Sequence, residues 1–333
     1  MPEFEPASED SSAPSDLDEL LDDPLAPSPD APRAQRAGTV ALVGRPNAGK
    51  STLMNQLLEE KLAIVSSKPQ TTRNRLVGIL SEPRGQIVFY DTPGVHKPQH
   101  QMNRQMIKAA QEALNDADVV VLLVDAAEPH GKGDAYMLEW LDKVEAPKIV
   151  LLNKVDRLRK DLLLPRIALY AETGAFEEIV PVSALKADGT DVVLDLLFER
   201  LPEQPPLYDP ELLTVHPERF LAAERIREKV LERTGDELPF ATAVVIDQWD
   251  QKGDNLIVIH ASILTERAGQ KKILIGSGGR TIKAIGAAAR HDLEEYLESR
   301  VFLDLNVKVE RDWRENRRVL SELDRAPFDV SFE

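Results

Sequence analysis

Gly44-Arg45-Pro46-Asn47-Ala48-Gly49-Lys50-Ser51 sets two glycines, a lysine and a hydroxyl at the spacing that phosphate binding requires. The stretch follows the apolar run Val40 to Val43 and leads into Thr52 to Leu58, which reads as a helix. Glycines let the backbone wrap a phosphate chain, so that several N–H groups and the positive end of the helix point at the anion. Lys50 supplies a mobile cation for the terminal phosphates, and Ser51 can place its hydroxyl on Mg²⁺. Gly44, Arg45, Pro46, Asn47, Ala48, Gly49, Lys50, Ser51 and Thr52 are the expected contacts. A chance glycine turn before a core helix is the bland alternative, and the order of strand, loop and helix argues against it.

Asp91-Thr92-Pro93-Gly94 directly follows the strand-like Ile87-Val88-Phe89-Tyr90, placing a carboxylate where it can hold Mg²⁺ through water. The Gly94 N–H can then sense a γ-phosphate. Between the two motifs lies Lys68-Pro69-Gln70-Thr71-Thr72-Arg73, a polar segment suited to order when a threonine hydroxyl reaches the metal. Thr72 is the first choice for that role and Thr71 the fallback, so Ser51, Thr72 and Asp91 form the expected metal set. His96 and His100 have the i, i+4 spacing of a metal pair, but with no third ligand nearby they predict no structural metal.

Asn153-Lys154-Val155-Asp156 follows the apolar Ile149 to Leu152 and suits the reading of a base. The Asp156 carboxylate can accept from the N1–H and exocyclic amine of guanine, a donor pair that adenine lacks. The Asn153 amide can bridge the base and the neighbouring loop, while the stem of Lys154 covers the ring. Ser183-Ala184-Leu185 ends the next apolar run and can aim a backbone N–H at guanine O6. In order along one chain, these motifs predict GTP rather than ATP, with GDP as the product. Many GTPases place a glutamine immediately after Asp-x-x-Gly; Val95 stands there in this chain. Water positioning must then come from backbone, a neighbouring residue or a monovalent cation, and slow intrinsic hydrolysis is expected. Lys50, Thr72 and Gly94 are the candidate catalytic groups.

The elements that must position these residues follow from the apolar runs Val40 to Val43, Ile87 to Tyr90, Val119 to Val124, Ile149 to Leu152 and Ile179 to Val182. They alternate with helix-like segments, as in a mostly parallel α/β sheet wrapped by helices, whose ligands sit at the carboxyl ends of the strands. This pattern holds from residue 37 to 201. Pro202-Glu203-Gln204-Pro205-Pro206-Leu207-Tyr208-Asp209-Pro210 forbids helix, so residues 202–215 read as an extended linker. Residues 216–318 then predict a smaller α+β unit: a helix over about His216 to Arg233, two strands around Gln251 to Asp254, two short helices flanking a glycine loop, and a last strand over about Val301 to Val309.

That loop is Gly276-Ser277-Gly278-Gly279-Arg280, and a Gly-x-x-Gly turn between helices lets an RNA backbone approach closely. Ile282, Ile285, Ala289, Leu293, Tyr296 and Leu297 form one apolar helical face. Arg280, Lys283 and Arg290 are left as a basic stripe, with Lys271 and Lys272 across the loop, a local cationic patch suited to RNA. The order helix, strand, strand, helix, loop, helix, strand is that of a bacterial-type (type II) KH domain.

A formal net charge of −16 over 333 residues speaks against a nucleic-acid partner until its distribution is read. Residues 1–36 hold ten acids against Arg33 and Arg36, half of the excess, in a Pro- and Ser-rich composition that predicts a disordered acidic tail. Residues 319–333 read as a C-terminal tail. With no cysteine, disulfides, thiolate metal sites and cysteine nucleophiles are excluded. Neither a secretory leader nor an apolar run long enough to span a bilayer is evident, so a cytoplasmic protein is expected.

Taken with Gln70-Thr71-Thr72-Arg73, these motifs resemble the bacterial Era GTPase family over residues 37–318. His216 to Phe220, Ile226 to Lys229 and Glu237 to Pro239 are similar to that family as well. The resemblance implies a Ras-like P-loop GTPase domain joined to a KH domain, binding to 16S ribosomal RNA near its 3′ end, and assistance to maturation of the 30S ribosomal subunit. It also implies peripheral association with the cell membrane, for which no basic amphipathic segment argues independently. A monomer is expected. Some similar GTPases with an apolar residue at the Val95 position use K⁺ held partly by a phosphate-loop asparagine, which makes Asn47 a further catalytic candidate. Ser277 departs from the pattern, since many members carry lysine there, which weakens the expected RNA contact. Two other readings remain: an RNA-binding adaptor that binds GTP with little hydrolysis, and a GTPase accessory to tRNA modification.

Overall fold

The computed structural model describes residues 35–66, 68, 71–94, 100–235, 238, 242–253 and 255–323. The acidic segment before Gln35, Gln70, Val95, His96, Glu237, Pro239 and residues 324–333 lie outside the described residues.

Six strands form the first sheet: β1 (Arg36–Gly44), β2 (Leu76–Glu82), β3 (Gly85–Asp91), β4 (Val119–Asp125), β5 (Lys148–Asn153) and β6 (Glu178–Pro181). Their order is β2-β3-β1-β4-β5-β6, with β2 antiparallel to β3 and every other pair parallel. The continuous apolar runs arise because both faces are covered. Val40, Leu42, Val121, Leu123, Ile149 and Leu151 point to one side, where α1 (Lys50–Leu58) and α5 (Thr190–Arg200) pack. Ala41, Val43, Val120, Leu122, Val150 and Leu152 point to the other, under α2 (Gln101–Asn115), α3 (Lys132–Leu141) and α4 (Leu163–Ala171). With β1 central, the 44–51 loop emerges between the strand ends that carry the other polar motifs.

The second unit begins with α6 (Glu218–Arg233) and continues through β7 (Thr242–Gln251), β8 (Leu256–Thr265), α7 (Ala268–Ile275), α8 (Arg280–Tyr296) and β9 (Arg300–Val309). Its sheet runs β7-β8-β9, antiparallel then parallel. The faces of α6 and α8 bury Ile226, Val230, Ile285, Ala289 and Leu293 against Ile257, Ile259, Ala261 and Ile263. This is the α+β arrangement expected of a type II KH domain. A final helix, α9 (Arg317–Leu323), joins a cluster in which Met102 and Met106 of α2 meet Ala243, Leu264, Trp313 and Leu320, so an apolar seam links the two units.

Three details depart from the sequence reading. Strand β2 is present although Leu76 to Glu82 gave no strand signal. The tails are shorter than read: Arg36 already opens β1, and residues 319–323 belong to α9, whose Leu320 is buried against α2. Residues 202–215 are extended but strapped to the sheet: Ala37 N–H donates to Pro202 O (3.1 Å), Ile79 N–H to Leu213 O (2.8 Å), and buried Gln86 accepts from the N–H groups of Leu207 and Tyr208 (2.8 and 2.9 Å).

Candidate functional site

At the end of β1, Gly49 adopts φ 101°, and a Cβ there would lie 2.2 Å from the Asn153 Nδ2. Only glycine lets the loop approach Asn153 so closely. Gly94 is constrained in the same way, since a Cβ would fall 2.7 Å from Pro46 Cα, so the phosphate loop and the Asp-Thr-Pro-Gly turn abut. Lys50 is buried, with Nζ donating to the carbonyls of Gly44 (3.4 Å) and Arg45 (3.3 Å). Burial lowers its pKa, and the Asp91 charge works against that shift. Arg45 turns away to Asp134 (3.0 Å). Asn47 is exposed, at φ 64°.

Three oxygens converge beside Lys50. Ser51 Oγ donates to Asp91 Oδ2 at 2.6 Å, Thr72 Oγ1 donates to the same oxygen at 3.1 Å, and the two hydroxyls lie 3.0 Å apart. Asp91 Oδ1 is buried without a hydrogen-bond partner. Burial raises the Asp91 pKa, opposed by Lys50, Ser51 and Thr72. Hard oxygen donors and an orphaned carboxylate oxygen fit Mg²⁺, which takes few protein ligands and completes its shell with phosphate and water. Thr71 turns its hydroxyl to Lys68 O (2.8 Å), so Thr72 is the threonine that joins the cluster. Thr92 Oγ1 donates to Leu42 O (2.7 Å), anchoring the turn to β1. His100 lies 3.3 Å from Glu315, and no group of three His, Cys, Asp or Glu among the described residues could hold a metal.

Asn153 ties three loops together. Its Nδ2 donates to Ala48 O (2.8 Å), and its Oδ1 accepts from the N–H groups of Lys154 (2.8 Å) and Ala184 (3.0 Å). Lys154 is held by Asp125 (2.6 Å) and by Asn47 O (2.7 Å), which fixes its stem over the mouth of the site. Asp156 is exposed and accepts from Ser183 Oγ (2.7 Å). A cavity of about 360 Å³ is lined by Pro46, Lys50, Ser51, Thr72, Gly94 and Asp156 among others, so phosphate, metal and base residues face one space. A cleft of about 500 Å³ between the units contains none of the phosphate-loop or base-reading residues.

In the second unit, Gly276 has φ 70°, Gly278 φ 60° and Gly279 φ 77°. Around Gly278 and Gly279 nothing lies within 4 Å of an added Cβ, so this turn is open to an approaching backbone. Lys272, Ser277, Arg280, Lys283 and Arg290 are exposed, Lys271 is half-buried, and Arg280 Nε donates to Ser277 O (3.2 Å). Ile273, 53% exposed, stands among these cations and was missed by the sequence reading, its apolar character pointing to the core.

Comparison with known proteins matches residues 39–154 to the family model described as 50S ribosome-binding GTPase, and residues 237–314 to the KH domain model. GTPase Era of Geobacter metallireducens is 46% identical over 289 residues, covering 86% of this chain and 97% of that protein. GTPase Era of Heliobacterium modesticaldum is 44% identical over 285 residues, covering 86% and 95%. The chain belongs to the Era GTPase family. Among solved Era structures, a variant from Aquifex aeolicus bound to GDP and AlF4⁻ superposes with a TM-score of 0.84 at 36% identity, covering 88% of this chain and all of that one. Era in complex with MgGDPNP and nucleotides 1506–1542 of 16S ribosomal RNA gives 0.85 at 37% identity, covering 88% and 99%. Within this Era-family frame, Asp125 is a site residue that sequence reasoning overlooked. It ends the apolar run of β4 as Asp91 ends that of β3, and that strand-end position was the available signal.

Proposed function

We propose that this protein is a GTP-hydrolysing switch that binds 16S ribosomal RNA near its 3′ end and assists maturation of the 30S subunit. The observation that carries the reading is the cavity in which the phosphate loop, the Ser51 and Thr72 hydroxyls bonded to buried Asp91, and Asp156 meet. Backbone N–H groups of the Gly44 to Thr52 loop, which Pro46 lacks, and the Lys50 ammonium bind the phosphates of GTP, whose negative charge favours the protonated lysine. Ser51, Thr72 and Asp91 would hold Mg²⁺, which when bound neutralises phosphate charge. Gly94, against Pro46, offers its N–H toward the γ-phosphate. Asp156 selects guanine, oriented by Ser183; Asn153 locks that loop to the phosphate loop and takes the Ala184 N–H, which sets the Ser183-Ala184 backbone beside the base. With Val95 in place of a glutamine, Asn47 would hold K⁺, which would supply positive charge beside the phosphates.

The GTPase domain spans residues 37–201, the linker 202–215 and the KH domain 216–318. RNA is taken by the Gly276 to Gly279 turn with Lys271, Lys272, Arg280, Lys283 and Arg290. No helix among the described residues is long and apolar enough to cross a membrane. The protein acts in the cytoplasm. The test is single-turnover hydrolysis of GTP with and without an RNA carrying nucleotides 1506–1542: GTP is cleaved, and faster with RNA. Tight GTP binding without cleavage in either case would leave an RNA-binding adaptor instead.

A further inference from the structure

The stretch between α1 and β2 carries Thr72, yet much of its fastening comes from the KH unit. Arg225 of α6 donates to Lys61 O (2.7 Å), and Lys61 Nζ reaches Glu228 (2.6 Å) and Asp292 (2.9 Å). Glu228 also accepts from Val65 N–H (2.9 Å). Closer to the site, Arg227 donates from Nη2 to Thr71 O while Glu224 holds its Nε (2.8 Å). On the other side of Thr72, Arg73 donates to Thr242 O of β7 (2.8 Å), with its guanidinium 5.5 Å from the Trp313 ring centroid. The residues before and after Thr72 are thus gripped by the KH unit, while the Thr72 hydroxyl alone meets Ser51 and Asp91.

A residue flanked by two fixed neighbours has little freedom to turn its side chain away. We propose that Arg227 of the KH unit, braced by Glu224, is a positioning residue for the metal-binding hydroxyl of Thr72, with Arg73 as its counterpart on the other flank. The inference rests on the GTPase reading and deepens it: the RNA-binding unit sets the geometry of the triphosphate site through the backbone at Thr71. Its signature is selectivity. Threonine contacts of this kind form with the γ-phosphate and are released after hydrolysis, so the clamp acts on the triphosphate state and leaves the diphosphate state alone. Packing alone would instead change both states, or neither.

The test follows release of a fluorescent non-hydrolysable GTP analogue and of fluorescent GDP while Mg²⁺ is titrated, in the full chain and in Arg227→Ala and Arg227→Lys. For Arg227→Ala, the Mg²⁺ concentration that retains the triphosphate analogue rises about tenfold, as loss of one charge-assisted hydrogen bond allows. GDP release stays as in the unmodified protein, and Arg227→Lys recovers part of the change. An unchanged Mg²⁺ requirement, or equal effects on both nucleotides, overturns the proposal. If Arg227→Ala does not fold, Glu224→Gln carries the test with the same two outcomes. An unmodified protein that retains no analogue with Mg²⁺ would sink the GTPase reading itself; retention there with indifferent variants sinks only the clamp.

Discussion

Under the proposed function, Asp156 recognises the base through its charge. Guanine presents two donors to one carboxylate, and an amide in its place can accept only one and offers a donor where guanine has a donor too. Asp156→Asn is expected to weaken GTP binding by about 100-fold, in line with the loss of one charged hydrogen bond of about 2–3 kcal/mol, and to improve xanthosine triphosphate binding. Calorimetry with the two nucleotides checks this, and unaltered GTP affinity would contradict the guanine reading. His216 supports the fold in another way. Its Nε2 accepts from Val77 N–H (3.0 Å), its ring stacks on Phe220, and burial lowers its pKa to about 4. The unfolded chain takes up this proton below about 6.5, the folded chain only below about 4. The contribution is therefore complete above the higher value and shrinks as pH falls toward the lower one, by about 2 kcal/mol at pH 5. His216→Gln, which keeps an acceptor but cannot titrate, should flatten unfolding midpoints between pH 7 and 5. An undiminished decline in the variant would place the acid sensitivity elsewhere.

Elements differ in how openly the sequence declares them. The parallel strands were legible because burial on both faces demands unbroken apolar runs, and the motifs at their ends were legible because strand ends hold their ligands. Strand β2 was not: it pairs only with β3 within its sheet, and Gly78 interrupts its apolar character under Leu58, whose Cδ1 would lie 2.7 Å from an added Cβ. The linker was read from its prolines, which forbid helix but say nothing of what the chain packs against. Gln86, a polar residue inside a strand, holds that information. It is fully buried, accepts from Leu207 and Tyr208, and donates to Tyr208 O (2.9 Å) and Ser81 Oγ (3.0 Å). Gln86→Leu leaves those strap groups unsatisfied and should cost about 2–4 kcal/mol, read as a lower denaturant midpoint. Because the strap lies away from the 360 Å³ cavity, nucleotide affinity of the folded protein should not change. The Arg227 contact lacked any local signal, as it joins positions 156 residues apart.

For the whole molecule, an acidic chain must gather enough cation at one place to hold RNA. Under the proposed function, the glycine turn does so with Arg280, Lys283 and Arg290 on α8 and Lys271 and Lys272 on α7. Placing two carboxylates at the turn should therefore repel a phosphate backbone without disturbing the nucleotide cavity, whose lining includes no residue of the turn. The positions tolerate the change: Ser277 is exposed, and Gly278, at φ 60°, has nothing within 4 Å of an added Cβ. Aspartate is among the side chains that accept that backbone conformation. Ser277→Asp with Gly278→Asp should lower affinity for an RNA carrying nucleotides 1506–1542 by about 100-fold, since like charges across an interface cost several kcal/mol. Fewer phosphate contacts also release fewer counterions, so the dependence of the residual affinity on salt should become shallower. GTP affinity without RNA should match the unmodified protein, while acceleration of hydrolysis by RNA disappears at RNA concentrations that saturate the unmodified protein. Undiminished RNA retention by the double variant would remove the turn from the interface.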